Sequence, residues 1–511
     1  MPGVEATGAE AIGAEPNATA GLARQVVRGA TWMVLLRMAL RVFSVASQFL
    51  LVRILSPSDF GLVAGAGAAY AILDGLTETS MTLALVQMQS PQRHHYDTAW
   101  TLVVARGLLV GAVLWAAAPF VADFLHDERV TLIVQVLAIV PVVQGFESVG
   151  MVRLQRDLQF GRIFFYQLAS RLAGFMTALP LALIYRSYWA LVLGGAAAKL
   201  LAVPVSYLVA PHRPGLSLRA AGGMLSFSKW LLLNNVLSMA ENFMMPIVLG
   251  HTGGIRAVGI YQVSYDLAAL PASEVAAPVR RPMHAGYARV ADDLPALRRQ
   301  VLDGLGVLAC LIVPMSAGIC VTAPYAVHVA LGAQWTEAAP VVALAALYTL
   351  FDALGHFTGG IYMVRHAQRP YVAIMSVCLA LRLALVIPAA LYGGVVPAAA
   401  MMAATAAFNA ALWFWRLRAL LGIGWRDLAA PIWRTFAAAA LMMLAVAAAE
   451  HAWPMQDAIA LPQWLAFSAL GAAVHTTAQL ALWAAQGRPS GPEAQLLGRL
   501  SSRRSGRSRI R

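Results

Sequence analysis

Residues 98–122 read TAWTLVVARGLLVGAVLWAAAPFVA, an apolar run interrupted by a single charged residue, Arg106. The hydrocarbon core of a bilayer is about 30 Å thick and takes about 20 residues of helix to cross, so this stretch predicts a membrane span. Comparable runs fill the chain and predict a polytopic, all-α membrane protein with about fourteen spans. They lie at 30–54, 60–86, 98–122, 130–150, 163–185, 188–210, 226–250, 259–281, 303–325, 337–363, 370–392, 396–415, 435–450 and 462–485.

The basic residues between these runs predict the orientation. Most of the 37 Lys and Arg residues fall in every second gap, and the intervening gaps hold only Arg53, Arg129, Arg186 and Arg256. Lys and Arg in short loops favour the cytoplasmic side. We therefore expect a multi-pass protein of the bacterial inner membrane with both termini in the cytoplasm.

The composition leaves little room for a soluble catalytic domain. Hydrophobic residues make up 60% of the 511 residues and charged residues only 12%, so the predicted spans use nearly the whole chain. The net charge of +13 is carried by predicted inner loops and an Arg-rich tail, which favours contact with anionic lipid over nucleic acid. The sequence predicts neither an enzyme nor a cofactor, and we expect the first span to serve as the targeting signal.

The chain contains an internal repeat. Trp32 begins the first predicted span and Gly61 opens the second, while Trp230 and Gly259 occupy the same places in the seventh and eighth, each 198 residues later. Unless these matches arise by chance, they predict two six-helix lobes, and an even number of spans gives both lobes the same topology. The predicted units are 1–29 (N-terminal segment), 30–210 (first lobe), 211–225 (connector), 226–420 (second lobe), 421–486 (two extra helices) and 487–511 (basic tail). A V-shaped, alternating-access transporter follows as an expectation.

Several short motifs resemble those of a known family. They are Arg28-Gly29-Ala30-Thr31-Trp32, Leu55-Ser56-Pro57-Ser58-Asp59-Phe60-Gly61-Leu62-Val63, Ala84-Leu85-Val86-Gln87, Arg153-Leu154-Gln155-Arg156-Asp157-Leu158-Gln159-Phe160 and Gly332-Ala333-Gln334-Trp335. Residues 24–420 resemble the oligosaccharide flippases of the multidrug/oligosaccharidyl-lipid/polysaccharide exporter superfamily, in the branch of Wzx-type lipopolysaccharide and exopolysaccharide exporters. The chain departs from the family's usual text at 365–370 and at 74–79.

The resemblance implies a function that composition does not. It implies a flippase that moves undecaprenyl-pyrophosphate-linked oligosaccharides from the cytoplasmic to the outer leaflet, driven by an ion gradient. The implied partners are this lipid-linked oligosaccharide, membrane lipid, and a polysaccharide polymerase with its export machinery.

Charged residues in the first lobe predict a substrate site, because charge within a bilayer usually faces a cavity or a partner. Arg37, Arg41, Ser44 and Gln48 share one helical face, and Asp74 and Glu78 lie at matching depth on the next span. With Arg106, Arg171 and Lys199, they give a basic lumen suited to a diphosphate. The alternatives are structural pairing of Arg41 with Asp74 and of Arg37 with Glu78, and snorkelling of Arg106 and Arg171 to the interface.

The second lobe has the opposite charge. Four acids, Glu241, Asp266, Glu274 and Asp352, accompany a single intramembrane arginine, Arg382. We predict that Glu241 and Asp266, with Asn242 or with Asp352 and His356, bind the proton or Na⁺ that drives export. The alternative is a structural hydrogen-bond network with Asn234, Asn235 and Ser238.

Three rival functions remain open at this point. A drug or cation antiporter of the same superfamily would share the fold but has less need for a basic first lobe. A membrane-embedded polymerase would be expected to use a longer outer loop than this chain provides. The residues do not exclude a lipid II flippase.

Overall fold

The computed structural model describes residues 43–77, 85, 88, 91–157, 159–224, 229–276, 279, 283, 286–365, 367–489, 491 and 493–494. Within these ranges the regular structure is helical. The first nine helices are α1 (Phe43–Ile54), α2 (Pro57–Thr77), α3 (Arg93–Leu125), α4 (Arg129–Gly145), α5 (Met151–Arg156), α6 (Phe160–Tyr185), α7 (Trp189–Val209), α8 (Ala221–Met224) and α9 (Lys229–Thr252). The others are α10 (Gly254–Ala268), α11 (Leu294–Val321), α12 (Ala323–Ala326), α13 (Ala339–His356), α14 (Gly359–Val364), α15 (Gln368–Gly393), α16 (Val395–Leu421), α17 (Trp425–Ala429), α18 (Trp433–Ala452) and α19 (Ala460–Ala485).

The helices confirm an all-α membrane protein. Among the described residues, ten helices are long and apolar enough to cross a bilayer, and α1 and α4 are shorter apolar helices. Helices α9 and α10 cover the predicted seventh and eighth spans and belong to neither group. They carry the polar residues Glu241, Asn242 and Asp266. The total of fourteen spans therefore stays a prediction.

The start of α2 is set by its own sequence. Ser56 and Asp59 form reciprocal hydrogen bonds, from Ser56 N to Asp59 Oδ2 at 3.0 Å and from Asp59 N to Ser56 Oγ at 3.3 Å. Pro57 occupies the first helical position, where its missing N–H costs nothing. Asp59 Oδ1 also accepts from the backbone N of Tyr188 at 3.0 Å. The Leu-Ser-Pro-Ser-Asp motif thus caps α2 and attaches the loop before α7.

Each lobe packs as helix pairs. In the first lobe, α3 packs along α4 and α6 along α7; in the second, α16 packs against α13 and α15, and α11 against α13. Gly174 of α6 and Gly194 of α7 allow close approach, since a β-carbon at either would lie about 3 Å or less from the facing helix. Small residues at helix crossings allow this packing in membranes.

The two lobes meet at the residues that anchor the sequence repeat. A β-carbon on Gly61 of α2 would lie 1.8 Å from the carbonyl oxygen of Ile255, and one on Gly259 of α10 would lie 1.8 Å from that of Pro57. Pro57 and Ile255 are themselves 198 residues apart, as are the two glycines. The contact therefore repeats itself under exchange of the lobes, as the proposed repeat requires.

Helices α18 and α19 form a pair that packs mainly on α11. A buried ion pair links the start of α18 to the chain that follows α19, with Arg434 Nε 3.0 Å from Glu493 Oε1. Gln479 donates to the same carboxylate at 2.7 Å, and Gln486 accepts from Arg434 at 2.8 Å. These contacts attach Gln486 and Glu493 to the helix pair.

Candidate functional site

Residues of the Gly332-Ala333-Gln334-Trp335 motif close the lobes together at the end predicted to be outer. Trp335 is fully buried and donates from Nε1 to the carbonyl oxygen of Val52 at 3.0 Å. Gln334 Nε2 lies 3.1 to 3.3 Å from the carbonyl oxygens of Val52, Arg53 and Leu55. The last carbonyls of a helix lack intrahelical partners, and here the second lobe supplies donors to those at the end of α1.

A second polar contact between the lobes lies one turn further along α1. Gln48 Nε2 donates to Asp266 Oδ2 at 2.9 Å, and Gln262 Nε2 donates to Asp266 Oδ1 at 3.1 Å. Both carboxylate oxygens therefore accept a neutral amide donor. The structure brings the predicted substrate residue Gln48 to the predicted coupling residue Asp266, a pairing that the sequence did not suggest.

Glu241 takes a different partner from Asp266. Its Oε1 lies 3.4 Å from Nη1 of Arg382, whose side chain is almost completely buried between α9 and α15. The Arg382 guanidinium also lies 5.4 Å from the ring centre of Tyr348. The side-chain oxygen of Asn409 accepts from Arg382 Nη2 at 3.0 Å, and its side-chain nitrogen donates to the Thr405 carbonyl at 3.1 Å.

Asp352 and His356 lie one turn apart on α13 and interact with each other. His356 Nδ1 is 3.4 Å from Asp352 Oδ2. Both residues line a narrow cavity within the second lobe, which also contains Glu241, Cys378, Arg382, Asn409 and Trp413. This cavity brings together three of the residues proposed for ion coupling, Glu241, Asp352 and His356, and leaves Asp266 outside its lining.

A larger cavity lies between the lobes. It measures about 320 Å³, and α2 forms one wall through Ala64, Gly67 and Ala68. The second lobe forms the other wall, with Glu241, Asn242, Phe243, Pro246, Tyr261, Gln262, Tyr265, Tyr348 and Met402. Glu241 lines both cavities, so the interior of the second lobe and the space between the lobes share a carboxylate.

In the first lobe, Arg106 of α3 binds the C-terminal end of α2. Its guanidinium forms an ion pair with Asp74 and donates to the Asp74 carbonyl at 2.7 Å and to Thr77 Oγ1 at 3.1 Å. The Arg106 side chain remains 23% exposed and the Asp74 side chain 38% exposed. The pair is therefore open to a ligand rather than sealed in a core.

The other predicted basic residues lie on α6 and α7. Arg171 donates to Ser44 Oγ on the predicted polar face of α1, and it is exposed. Lys199 is also exposed, and Glu147 lies near enough to interact with it electrostatically. Arg37, Arg41 and Glu78 lie outside the described residues, as do the side chains of Asn234 and Asn235. Their predicted pairings stay predictions.

Sequence reasoning missed several polar residues and the aromatic wall. From the sequence, Arg382 was counted only for its charge. Neither Asn409 nor the three tyrosines of the cavity were identified as site residues. A signal was present: Tyr348, Asp352 and His356 recur every four residues on α13, and Tyr261 and Tyr265 do so on α10. Such spacing marks one helical face.

Comparisons with known proteins agree with this architecture. The family described as "Polysaccharide biosynthesis protein" matches residues 50–340, which is more than half of the chain. The chain belongs to this family. Its lobe contacts at Gly61, Gly259 and Trp335 all fall within the matched residues. The resemblance predicted from the short motifs is confirmed.

Two known proteins are similar in sequence to much of this chain. The lipopolysaccharide biosynthesis protein WzxC of Escherichia coli (strain K12) is 22% identical over 67% of this chain and 71% of its own length. The succinoglycan biosynthesis transport protein ExoT of Rhizobium meliloti (strain 1021) is 23% identical over 64% of this chain and 66% of its own length. Both names describe biosynthesis or transport proteins rather than catalysts.

Solved structures confirm the transporter fold. The lipid II flippase MurJ in an inward closed conformation matches with a TM-score of 0.71 at 10% identity, covering 89% of this chain and 100% of MurJ. An inward-facing multidrug resistance MATE family transporter of the MOP superfamily matches with a TM-score of 0.57 at 13% identity, covering 74% of this chain and 94% of that transporter.

Proposed function

We propose that this protein is a flippase that translocates undecaprenyl-pyrophosphate-linked oligosaccharide repeat units across the inner membrane for exopolysaccharide, capsule or O-antigen synthesis. The cavity between the lobes carries the proposal. It lies between two helix sets that are joined at one end by the Gly61–Gly259 and Trp335–Val52 contacts. If these contacts opened while the lobes closed together at the opposite end, the cavity would gain alternating access to the two sides of the membrane.

In the proposal, basic side chains of the first lobe hold the diphosphate. Arg106 is partly exposed at the C-terminal end of α2, and a guanidinium can bind two phosphate oxygens at once. Its ion pair with Asp74 keeps the guanidinium oriented when no ligand is bound. Arg171 and Lys199, with Arg37 and Arg41, would extend this basic surface toward the cytoplasmic leaflet, where the substrate is made.

The second lobe would couple transport to a proton. Arg382 already places a permanent positive charge against Glu241, which opposes the binding of a further cation at that carboxylate. His356 Nδ1 and Asp352 Oδ2 lie 3.4 Å apart within one turn of α13, close enough to pass a proton between them. Asp266 accepts from Gln48 across the lobe boundary and from Gln262 on its own helix, and it would respond to lobe opening because Gln48 would leave it.

The test is a leaflet-resolved measurement of lipid-linked oligosaccharides in the native host. It compares the intact gene, a deletion, and the deletion complemented with Arg106→Gln. The proposal predicts that one lipid-linked oligosaccharide accumulates on the inner leaflet in both altered strains. An unchanged pool in the deletion strain would favour drug or cation antiport, and accumulation on the outer leaflet would favour a polymerase. Accumulation of lipid II alone would indicate a lipid II flippase.

A further inference from the structure

The residues that line the cavity between the lobes are not those expected of a diphosphate-binding site. Its wall in the second lobe contains three tyrosines, and the ring centres of Tyr261 and Tyr265 lie 6.1 Å apart, as do those of Tyr265 and Tyr348. The opposite wall consists of Ala64, Gly67 and Ala68. No Lys or Arg is among the described residues that line it. This is an aromatic face with one carboxylate, Glu241, opposite a wall of small residues, with room between them.

We propose that this cavity is the binding site for the sugar portion of the substrate. A sugar ring has an apolar C–H face and a rim of hydroxyl groups. Tyrosine offers a flat apolar body with a polar end, and ligand sites commonly combine such surfaces with a few placed polar groups. Of the three rings, Tyr265 is partly exposed and would stack on a sugar unit, while Tyr261 and Tyr348 are buried and pack against it.

Polar groups for the hydroxyl rim stand beside the tyrosines. Asn242, Gln262 and Glu241 line the same cavity. Pro246 adds a backbone acceptor, because it has no N–H to donate to the carbonyl of Asn242 four residues earlier in α9. Neutral amides and a carbonyl bind hydroxyl groups without requiring a charged ligand.

The position along α2 fits the shape of the substrate. Gly67 faces the cavity and Asp74, which holds Arg106, lies seven residues further on. Two helical turns separate them by about 10 Å along the same face of α2. A diphosphate at Arg106 would therefore leave the attached sugars to extend toward the tyrosines, which lie on the side of the closed outer contacts.

Gly67 gives this site a direct test. A β-carbon added there meets nothing within 4 Å, so a larger side chain would enter the cavity without clashing with the protein. Gly195 of α7 provides a matched control, since a β-carbon there also meets nothing within 4 Å but the residue is exposed and absent from the cavity lining. Tyr265→Leu is a second, independent variant that removes the aromatic face and keeps a smaller apolar side chain.

The experiment measures binding to the purified full-length protein in detergent by native mass spectrometry. Two probes are compared: a lipid-linked oligosaccharide purified from the host, and undecaprenyl pyrophosphate, which has no sugar. We expect Gly67→Leu and Tyr265→Leu to weaken binding of the sugar-bearing probe by about tenfold. Binding of undecaprenyl pyrophosphate stays within about twofold, and Gly195→Leu changes neither.

The outcomes separate this inference from the proposed function on which it rests. Equal loss of both probes in the variants would show that the cavity does not recognise sugar, while undiminished binding of both would show that it is not a ligand site. If the unaltered protein binds neither probe, the proposed function itself fails. Gel filtration shows whether each variant folds. If either Gly67→Leu or Tyr265→Leu does not fold, binding to the other variant tests the inference.

Discussion

Gly61 of α2 and Gly259 of α10 face one another's helices with no room for a β-carbon on either residue. The two contacts are related by exchange of the lobes, with Gly61 against Ile255 and Gly259 against Pro57. The glycines thus do more than permit close packing within a lobe. They bring the two lobes together at one end of the bundle, and any movement that separates the lobes there must break both contacts.

The first prediction concerns this contact. Gly61→Ala and Gly259→Ala force a methyl group against a backbone carbonyl that cannot move alone, and overpacking of this kind costs about 1–3 kcal/mol. We expect each variant to lower the thermal unfolding midpoint of the detergent-purified protein. Gly195→Ala, in open space, leaves the midpoint unchanged or slightly higher, because alanine favours helix. Midpoints that do not differ from Gly195→Ala would contradict the close contact.

The second prediction concerns the contact of Trp335 with α1, at the end of the bundle that is predicted to face outward. Its indole donates to the Val52 carbonyl, and Val52 is fully buried. In a background without Cys310, Cys320 and Cys378, we expect Val52→Cys to be protected from a membrane-impermeant maleimide added outside. Adding Trp335→Phe removes the donor and should increase the labelling rate at least about threefold, since one lost hydrogen bond is worth about 1 kcal/mol.

Two controls accompany this labelling experiment. Trp453→Phe changes a partly exposed tryptophan of the predicted outer segment that contacts Phe467 edge-to-face. It should leave Val52→Cys protected. Glu128→Cys, exposed in a predicted outer loop, should label equally in every background. Rapid labelling of Val52→Cys with Trp335 intact would show that this end is open.

The third prediction separates the two roles of Arg106. If the guanidinium only pairs with Asp74, exchanging the residues in the double variant Asp74→Arg, Arg106→Asp should restore both stability and flipping. If it binds diphosphate, the exchange restores the unfolding midpoint but leaves flipping at least about tenfold below that of the unaltered protein. Asp74→Asn should retain more flipping than Arg106→Gln. Recovery of full activity in the exchanged protein would assign Arg106 a structural role.

The fourth prediction is a pH dependence in the connector between the lobes. Burial and the nearby Arg153 lower the pKa of His212 from its ordinary value of 6.5, although Asp97 opposes the shift. The docked connector therefore holds His212 neutral, while the released connector takes up a proton as the pH falls below about 6.5. Docking is fully stable above that pH and weakens below it.

Hydrogen exchange of residues 211–220 measures this effect. The segment is attached to α3 through Gly215 N to Asp97 Oδ1 at 3.1 Å and Ser217 N to Thr101 Oγ1 at 3.1 Å. We expect faster exchange at pH 5.5 than at pH 7.5 after correction for the intrinsic rate. His212→Gln should remove most of that difference. An equal difference in the variant would assign the pH effect to another group.

The sequence predicted those parts of the structure that depend on local pattern. Apolar length identified the long membrane helices, and the 198-residue spacing of Gly61 and Gly259 indicated a repeat. The sequence did not predict that these two glycines lie where the lobes meet. Gln48 was placed correctly on a polar face of α1 because helical spacing determines which side chains share a face.

The partners of these polar residues depend on tertiary packing, which spacing does not reveal. Asp266 was expected to share a cation with Glu241, yet the structure gives it Gln48 and Gln262 and gives Glu241 to Arg382. Which helices meet, and at what rotation, decides such pairings. The tyrosine wall was missed because each ring, taken alone, looks like ordinary apolar span sequence.

The most direct test of flippase activity uses purified protein reconstituted in liposomes. Lipid-linked oligosaccharide from the host is incorporated, a pH gradient is imposed, and the sugar reaching the outer leaflet is measured by its removal with an added glycosidase. We expect protein-dependent exposure of the sugar that increases with the proton gradient. This exposure should fall at least about tenfold in Arg106→Gln, but not in Gly195→Leu. Exposure at the same rate in protein-free liposomes, or unaffected by Arg106→Gln, would contradict the proposed function.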